Sequence, residues 1–223
     1  MRSFAEIREI AAARKGGEAA LDALLLTPRS AGEIRATPAD RWLSEMTRCV
    51  FQAGFSWSLI NKKWPGFEDA FEGFDIFRWT LMSDEDIDRL ARHKDVIANV
   101  AKIQSVGTNA QFLAGLEREH GSAGAFFAAW EPENYVELLQ VLKARGSRLG
   151  GNTGQIFLRR MGVDALVFSK DVVAALQRES IVARAPSSQK DFKAAQAALN
   201  EWRAETRLPL TQISQILAFS VGE

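Results

Sequence analysis

Cysteine is nearly missing from this chain of 223 residues: Cys49 is the only one, so no disulfide can form within it. Histidine is almost as scarce, and His93 and His120 together with Cys49 fall short of the ligand count of an ordinary Cys/His zinc site. No spacing of carboxylates suggests a metal either, and no cofactor is expected. Long apolar runs are absent too, since no stretch approaches the ~18 residues of a membrane span. The opening segment Met1-Arg-Ser-Phe-Ala-Glu-Ile-Arg-Glu-Ile10 reads as a charged amphipathic helix rather than a signal peptide. The expectation is a cytoplasmic protein with no membrane partner. Net charge is also lacking: 28 Lys and Arg balance 28 Asp and Glu, which excludes a generally basic protein that coats nucleic acid by bulk charge. Any nucleic-acid surface has to be local.

Strand patterns, repeats and low-complexity linkers are missing as well, while helix patterns are abundant. With 47% hydrophobic residues the chain can bury one substantial core, or two lobes sharing a cleft. Helices are predicted at roughly 3–14, 18–26, 40–53, 57–62, 67–72, 84–91, 96–118, 122–129, 133–145, 152–161, 170–178, 188–205 and 210–220. Ser83 with Asp86, and the segment Ser187 to Asp191, read as N-terminal caps. All six prolines, Pro65 among them, are read as joints between helices. Of the six tryptophans, most are expected in the core or at helix joints. The chain is read as a single unit, with a helical extension over 1–36, a core over 37–180 and C-terminal helices over 181–223 that pack on the N-terminal part.

One segment invites a chemical reading. From Lys143 to Gln155 four glycines and three cations, Lys143, Arg145 and Arg148, lie between two helical patterns. Glycines at that density let the main chain approach an anion and expose its amides, and the following helix N-terminus adds partial positive charge. The preceding pattern is helical, and the sequence Gly150-Gly151-Asn152-Thr153 lacks the Gly-Lys-Ser/Thr ending of a P-loop, so triphosphate and dinucleotide motifs do not fit. Helix, glycine hairpin, helix suits a single nucleic-acid backbone phosphate. A plain connector with solvated cations is the competing interpretation. Arg159 and Arg160 extend the local basic region, and acids collect at Ser83 to Asp88.

Upstream, Gln52-Ala-Gly-Phe-Ser-Trp57, Lys62-Lys63 and Phe67-Glu-Asp-Ala-Phe71 resemble a segment of the DNA-3-methyladenine glycosylase I family. Phe74-Asp75, Met82 to Leu90, Lys102-Ile103, Asn109-Ala110 and Leu142-Lys-Ala-Arg-Gly146 with Gly151 and Thr153 follow in that family's order, so the resemblance covers roughly residues 40 to 175. It implies an all-α, two-lobed helix-hairpin-helix DNA glycosylase fold, with a damaged base flipped into the cleft between the lobes. It also implies double-stranded DNA carrying an alkylated base as partner, bound by a monomer. Arg145, Arg148, Gly150, Gly151, Asn152 and Thr153 become the DNA-backbone clamp. Trp57 becomes the platform on which the base, 3-methyladenine in the family, stacks; an electron-poor purine cation is attracted to an indole face.

The departures are as informative. Cys49 aligns with the family's base-binding carboxylate and is a poor replacement, being a weak donor and acceptor. Glu45, one turn earlier on the same helix face, can supply that carboxylate or can be an ordinary surface glutamate. Gln52 can read a base edge or pack in the core. Thr153 stands where a strand-cutting member of the superfamily has its lysine, which implies a monofunctional hydrolase that uses water. Asp171 is the nearest match to the superfamily's catalytic aspartate, and also fits an ordinary acidic helix start. A lesion-binding protein without turnover, and a glycosylase redirected to another base, are the alternative functions.

Overall fold

The computed structural model describes residues 1–221 and is all-α, with no strand among them. Its helices are α1 Phe4–Lys15, α2 Glu18–Leu24, α3 Ala31–Arg35, α4 Ala39–Gln52, α5 Trp57–Ala70, α6 Ile76–Trp79, α7 Asp84–Ala91, α8 Val100–His120, α9 Ala123–Ala128, α10 Tyr135–Arg145, α11 Asn152–Arg160, α12 Lys170–Arg178, α13 Gln189–Thr206 and α14 Leu210–Phe219. They divide into two compact units. One comprises residues 1–29, 130–138 and 162–221, and the other residues 30–129 and 139–161.

In the first unit α1 packs against α2, α13 and α14. Phe4 meets Trp202 with ring centroids 5.7 Å apart, and the Glu205 carboxylate accepts from the Phe4 and Ala5 amides at 2.9 and 3.2 Å. These are orphan donors of the first helical turn, so a carboxylate there answers both the hydrogen-bond deficit and the positive end of the helix dipole. Glu179 is buried in the same unit. Burial works to raise its pKa, but bonds from the Arg2 amide at 3.0 Å and from Arg178 at 2.7 Å outweigh it and hold the carboxyl below its ordinary value.

The second unit is built around α8, which is buried along Ile103, Val106, Ala110, Leu113 and Leu116 and packs against α4, α6, α7 and α9. Trp42 of α4 stacks on Phe127 with centroids 4.5 Å apart, meets Phe157 of α11 at 5.8 Å, and donates its indole N–H to the Thr37 carbonyl. A second aromatic row runs through Trp64, Phe67, Phe71 and Phe74.

Three features differ from the sequence reading. α5 is one helix through Pro65, where 57–62 and 67–72 were expected as separate pieces. A proline inside a helix costs about 3 kcal/mol. Burying Ile60, Trp64 and Phe67, spaced on one face, returns roughly 1.5–3 kcal/mol each and outweighs that cost. Gly66, which with Pro65 looks like a turn, is a packing glycine: a Cβ there would lie 2.4 Å from Asp95 Cβ. The short helices α3 and α6 carry too few residues to display a period; Ser30 and Glu33 form a capping box on α3, and Asp75 caps α6. The long helix α8 starts at Val100 rather than 96, because the Asn99 side chain accepts from the Lys102 amide and caps it there.

Trp42→Ala is expected to lower stability by about 3–5 kcal/mol in urea denaturation, because it empties the contact between α4, α9 and α11. A loss below about 1 kcal/mol would show that this stack does not hold the unit.

Candidate active site

Glu45, Cys49 and Gln52 recur on α4 at spacings of four and three residues and therefore line one face of the helix. All three meet a single cation, Arg160, the last residue of α11. Its Nη1 donates to Glu45 Oε1 at 2.9 Å and to Gln52 Oε1 at 2.6 Å, and lies 3.7 Å from Cys49 Sγ. Its guanidinium carbon sits 4.7 Å from the centroid of Trp57. The Gln52 amide donates in turn to Asn61 Oδ1 at 2.9 Å, which ties α4 to α5. The cluster of Glu45, Cys49, Gln52, Arg160 and Trp57 lies wholly within the second unit.

Trp57 opens α5 behind the Ser56 cap and is 48% exposed, whereas Trp42, Trp64, Trp79 and Trp202 are buried. The loop that presents it is fixed from below. Lys102 of α8 reaches the end of α4, donating to the Phe51 and Ala53 carbonyls at 3.2 and 2.6 Å, with its ammonium 4.4 Å from the Phe55 ring centroid. A cation at the negative end of a helix, bonded to its last carbonyls, is favourable on both counts. Burial, then the nearby charge of Arg148, lowers the Lys102 pKa.

The carboxylate of Glu45 is partly buried and paired, not a free surface group. Gln52 is buried, with both ends of its amide bonded inside the cluster, so it acts as a brace between helices. Cys49 is buried beside Glu45, and burial together with that negative charge pushes its thiol up to about 12. It remains a neutral thiol at neutral pH.

The glycine segment is a tight hairpin between α10 and α11. Gly146 and Gly154 are required by packing, since a Cβ would meet Leu149 Cδ1 at 2.7 Å and the Leu149 carbonyl oxygen at 2.2 Å respectively. Gly151 takes φ 57° and ψ −143°, a region closed to other residues, and faces open space. It serves as the α11 N-cap with no side-chain bond, so the first-turn amides at Asn152 and Thr153 carry no side-chain cap. Buried Asn109 brackets the hairpin from α8, accepting from the Ser147 amide at 2.7 Å and donating to its carbonyl at 3.2 Å. Arg148 is exposed and left-handed at φ 60°, with Nε donating to the Ala101 carbonyl. Arg145 differs from it: both guanidinium ends are spent on Glu119, at 2.8 and 2.7 Å.

Asp171 is in the first unit, exposed in the first turn of α12 behind the Ser169 cap. Among the described residues no group of three or more His, Cys, Asp or Glu side chains could hold a metal ion, and no helix is long and apolar enough to cross a membrane.

Sequence reasoning missed Arg160 and Lys102 as members of this site. Arg160 was read only as part of the basic region around the hairpin. It follows Phe157 by three residues, so the packing of Phe157 on Trp42 of α4 carries Arg160 toward that helix.

Residues 39–147 match the sequence profile of the methyladenine glycosylase family. DNA-3-methyladenine glycosylase 1 of Escherichia coli is 33% identical over 67 residues, 30% of this chain and 36% of that protein. The Haemophilus influenzae DNA-3-methyladenine glycosylase is 31% identical over the same length and shares. The chain thus matches about a third of the length of these curated relatives. Among solved structures, 3-methyladenine DNA glycosylase I from Staphylococcus aureus superposes with a TM-score of 0.51 at 24% identity, covering 56% of this chain and 77% of that one. The 8-oxoguanine glycosylase/lyase of Methanocaldococcus jannaschii, solved with DNA, covers 96% of both chains at TM-score 0.51 and 13% identity. These likenesses establish a helical DNA glycosylase fold.

The buried thiol provides a test of the cluster. The folded protein is expected to leave Cys49 unmodified by iodoacetamide near neutral pH, with labelling only on unfolding; mass spectrometry showing rapid labelling of folded protein would contradict its burial under Arg160 and Glu45.

Proposed function

We propose that this protein is a monofunctional DNA glycosylase of base excision repair, which flips an alkylated purine out of duplex DNA onto Trp57 and hydrolyses its N-glycosidic bond. The observation that carries this reading is Trp57 itself: a half-exposed indole face held over a braced polar cluster, in a chain whose other large aromatics mostly fill the core. A flipped base loses stacking and pairing, and an aromatic face with polar neighbours replaces both. The hairpin supports the second requirement, a grip on the DNA backbone, through the uncapped amides at Asn152 and Thr153, the open Gly151 and the exposed Arg148.

In the reaction the bond between C1′ and the base nitrogen breaks with its electron pair leaving on the base, and a water oxygen bonds to C1′ while its proton passes to a carboxylate or to solvent water. Asp171, from the family resemblance, is the carboxylate we assign to stabilising the sugar cation and orienting that water. Glu45 is the carboxylate bonded to Arg160, the cation that lies against Trp57. Thr153 offers no amine for a Schiff base, so the strand is left uncut.

N-methylated duplex DNA incubated with the protein should yield free alkylated purine, 3-methyladenine being the substrate named for the relatives, and an intact strand at the abasic site. Lesion binding without any released base would instead favour a binding protein that has kept the clamp and lost the chemistry. For the clamp, Arg148→Ala should weaken binding to all DNA sequences alike and reduce the slope of log affinity against log salt by about 1. An unchanged slope would return the hairpin to the role of a connector.

A further inference from the structure

The polar network beside Trp57 has a direction, and an arginine sets it. A guanidinium carries donors only, so the arm of the Gln52 amide that meets Arg160 Nη1 at 2.6 Å has to be the carbonyl oxygen. That turns Gln52 Nε2 toward Asn61 at 2.9 Å, and Asn61 in turn has to present its own oxygen. The other arm of Asn61, the donor Nδ2, is not engaged by Gln52, and among the described residues it donates to nothing. Asn61 Oδ1 keeps a second lone pair as well.

Asn61 lies on α5 one turn beyond Trp57, so the two side chains share a helix face, with Cβ atoms about 5–6 Å apart, and the later one leans back toward the earlier. Both are exposed, whereas Cys49 and Gln52 are buried, so Asn61 is where the network reaches the surface. Arg160 lies against one side of the indole, and the 48% exposure of Trp57 is what remains with that cation in place. A base that covers the remaining indole surface has the Asn61 amide at its rim.

An outward amide with one donor arm and one spare acceptor lone pair matches a purine edge that offers an acceptor beside a donor. Adenine presents that pair at N7 and its N6 amino group, whereas guanine presents two acceptors at N7 and O6. Methylation at N3 leaves the N6 and N7 edge intact.

We propose that Asn61 is a specificity-determining residue that reads the N6 and N7 edge of an adenine lying on Trp57, Nδ2 donating to N7 and Oδ1 accepting from the amino group, so that the site takes alkylated adenines in preference to alkylated guanines. The proposal rests on the glycosylase reading for its setting. Gln52, a base-edge candidate from the sequence, instead holds Asn61 in the orientation this contact requires.

Calorimetry with free bases tests the contact apart from catalysis. 3-Methyladenine and its 7-deaza analogue, in which a C–H replaces N7, are titrated into the native protein, Asn61→Ala and Asn61→Asp, with circular dichroism confirming that each variant is folded. Loss of the N7 acceptor should cost the native protein about three- to tenfold in affinity, the worth of one hydrogen bond, and should cost Asn61→Ala nothing. Asn61→Asp keeps an oxygen for Gln52 but sets a second oxygen where the donor was, so it should bind the 7-deaza base better than 3-methyladenine. An equal penalty for the missing N7 in the native protein and Asn61→Ala, or no native binding of either base, overturns the proposal. In a second measurement the bases released from N-methylated duplex DNA are separated by chromatography, and the native ratio of 3-methyladenine to 3-methylguanine should fall by about three- to tenfold in Asn61→Ala. A ratio unchanged by that substitution overturns the proposal too. Absence of release by the native protein, with the calorimetric difference intact, overturns the glycosylase reading alone.

Discussion

The ion pair between Arg160 and Glu45 joins the two parts of this molecule that matter chemically. Arg160 ends α11, the helix whose N-terminus closes the glycine hairpin, and Glu45 stands on α4, whose end leads into Trp57. One guanidinium therefore ties the hairpin helix to the helix that carries the platform. With Gln52 extending the network to Asn61 on α5, three helices share a polar junction beside a core that is otherwise aromatic and aliphatic. Such a junction is costly to break, because removing one partner leaves another polar group with little access to water. It fixes the register of α4 against α11 more narrowly than the Trp42 and Phe157 contact alone, which tolerates sliding.

Cys49 stands where the family resemblance implies a carboxylate, and its surroundings suit a neutral thiol. A carboxylate at 49 would sit a single turn from Glu45 and within reach of the same Arg160, so the two acids would repel each other. A neutral thiol avoids that repulsion and fills the space. Its strongly raised pKa is the same fact in another form: burial and the neighbouring Glu45 both oppose ionisation at this position. Glu45 and Cys49 thus act as a pair, with the negative charge moved one turn back along α4 and given an internal partner.

The all-α class, the long central helix, the caps at Ser83 and Ser188 and the hairpin between α10 and α11 were legible because each rests on local sequence: period, cap chemistry or glycine density. Pro65 misled for the same reason, since a proline is a local signal and the burial of Ile60, Trp64 and Phe67 that overrides it is tertiary. Gly146 and Gly154 show the limit within a correctly read motif. Four glycines looked like one device for approaching a phosphate, yet these two are there to let Leu142 and Leu149 close the hairpin, and only Gly151 has the open, left-handed backbone that a ligand could approach. Arg145 was counted among free cations because no sequence rule pairs it with Glu119, which lies on a different helix. Arg160 escaped for the converse reason: a cation near a basic hairpin resembles its neighbours until the packing of α11 on α4 turns it inward.

A chain with no net charge still concentrates positive charge where it is useful. Lys102 lies under the end of α4, Arg160 over Trp57, and Arg148 on the hairpin beside Ala101, the residue that precedes Lys102. The lowering of the Lys102 pKa by Arg148 shows that these charges feel one another. Among the described residues Glu45 is the acid bonded to Arg160, and it also pairs with Arg48. Positive charge gathered in this way favours approach of a polyanionic backbone even in a chain whose total charge is zero.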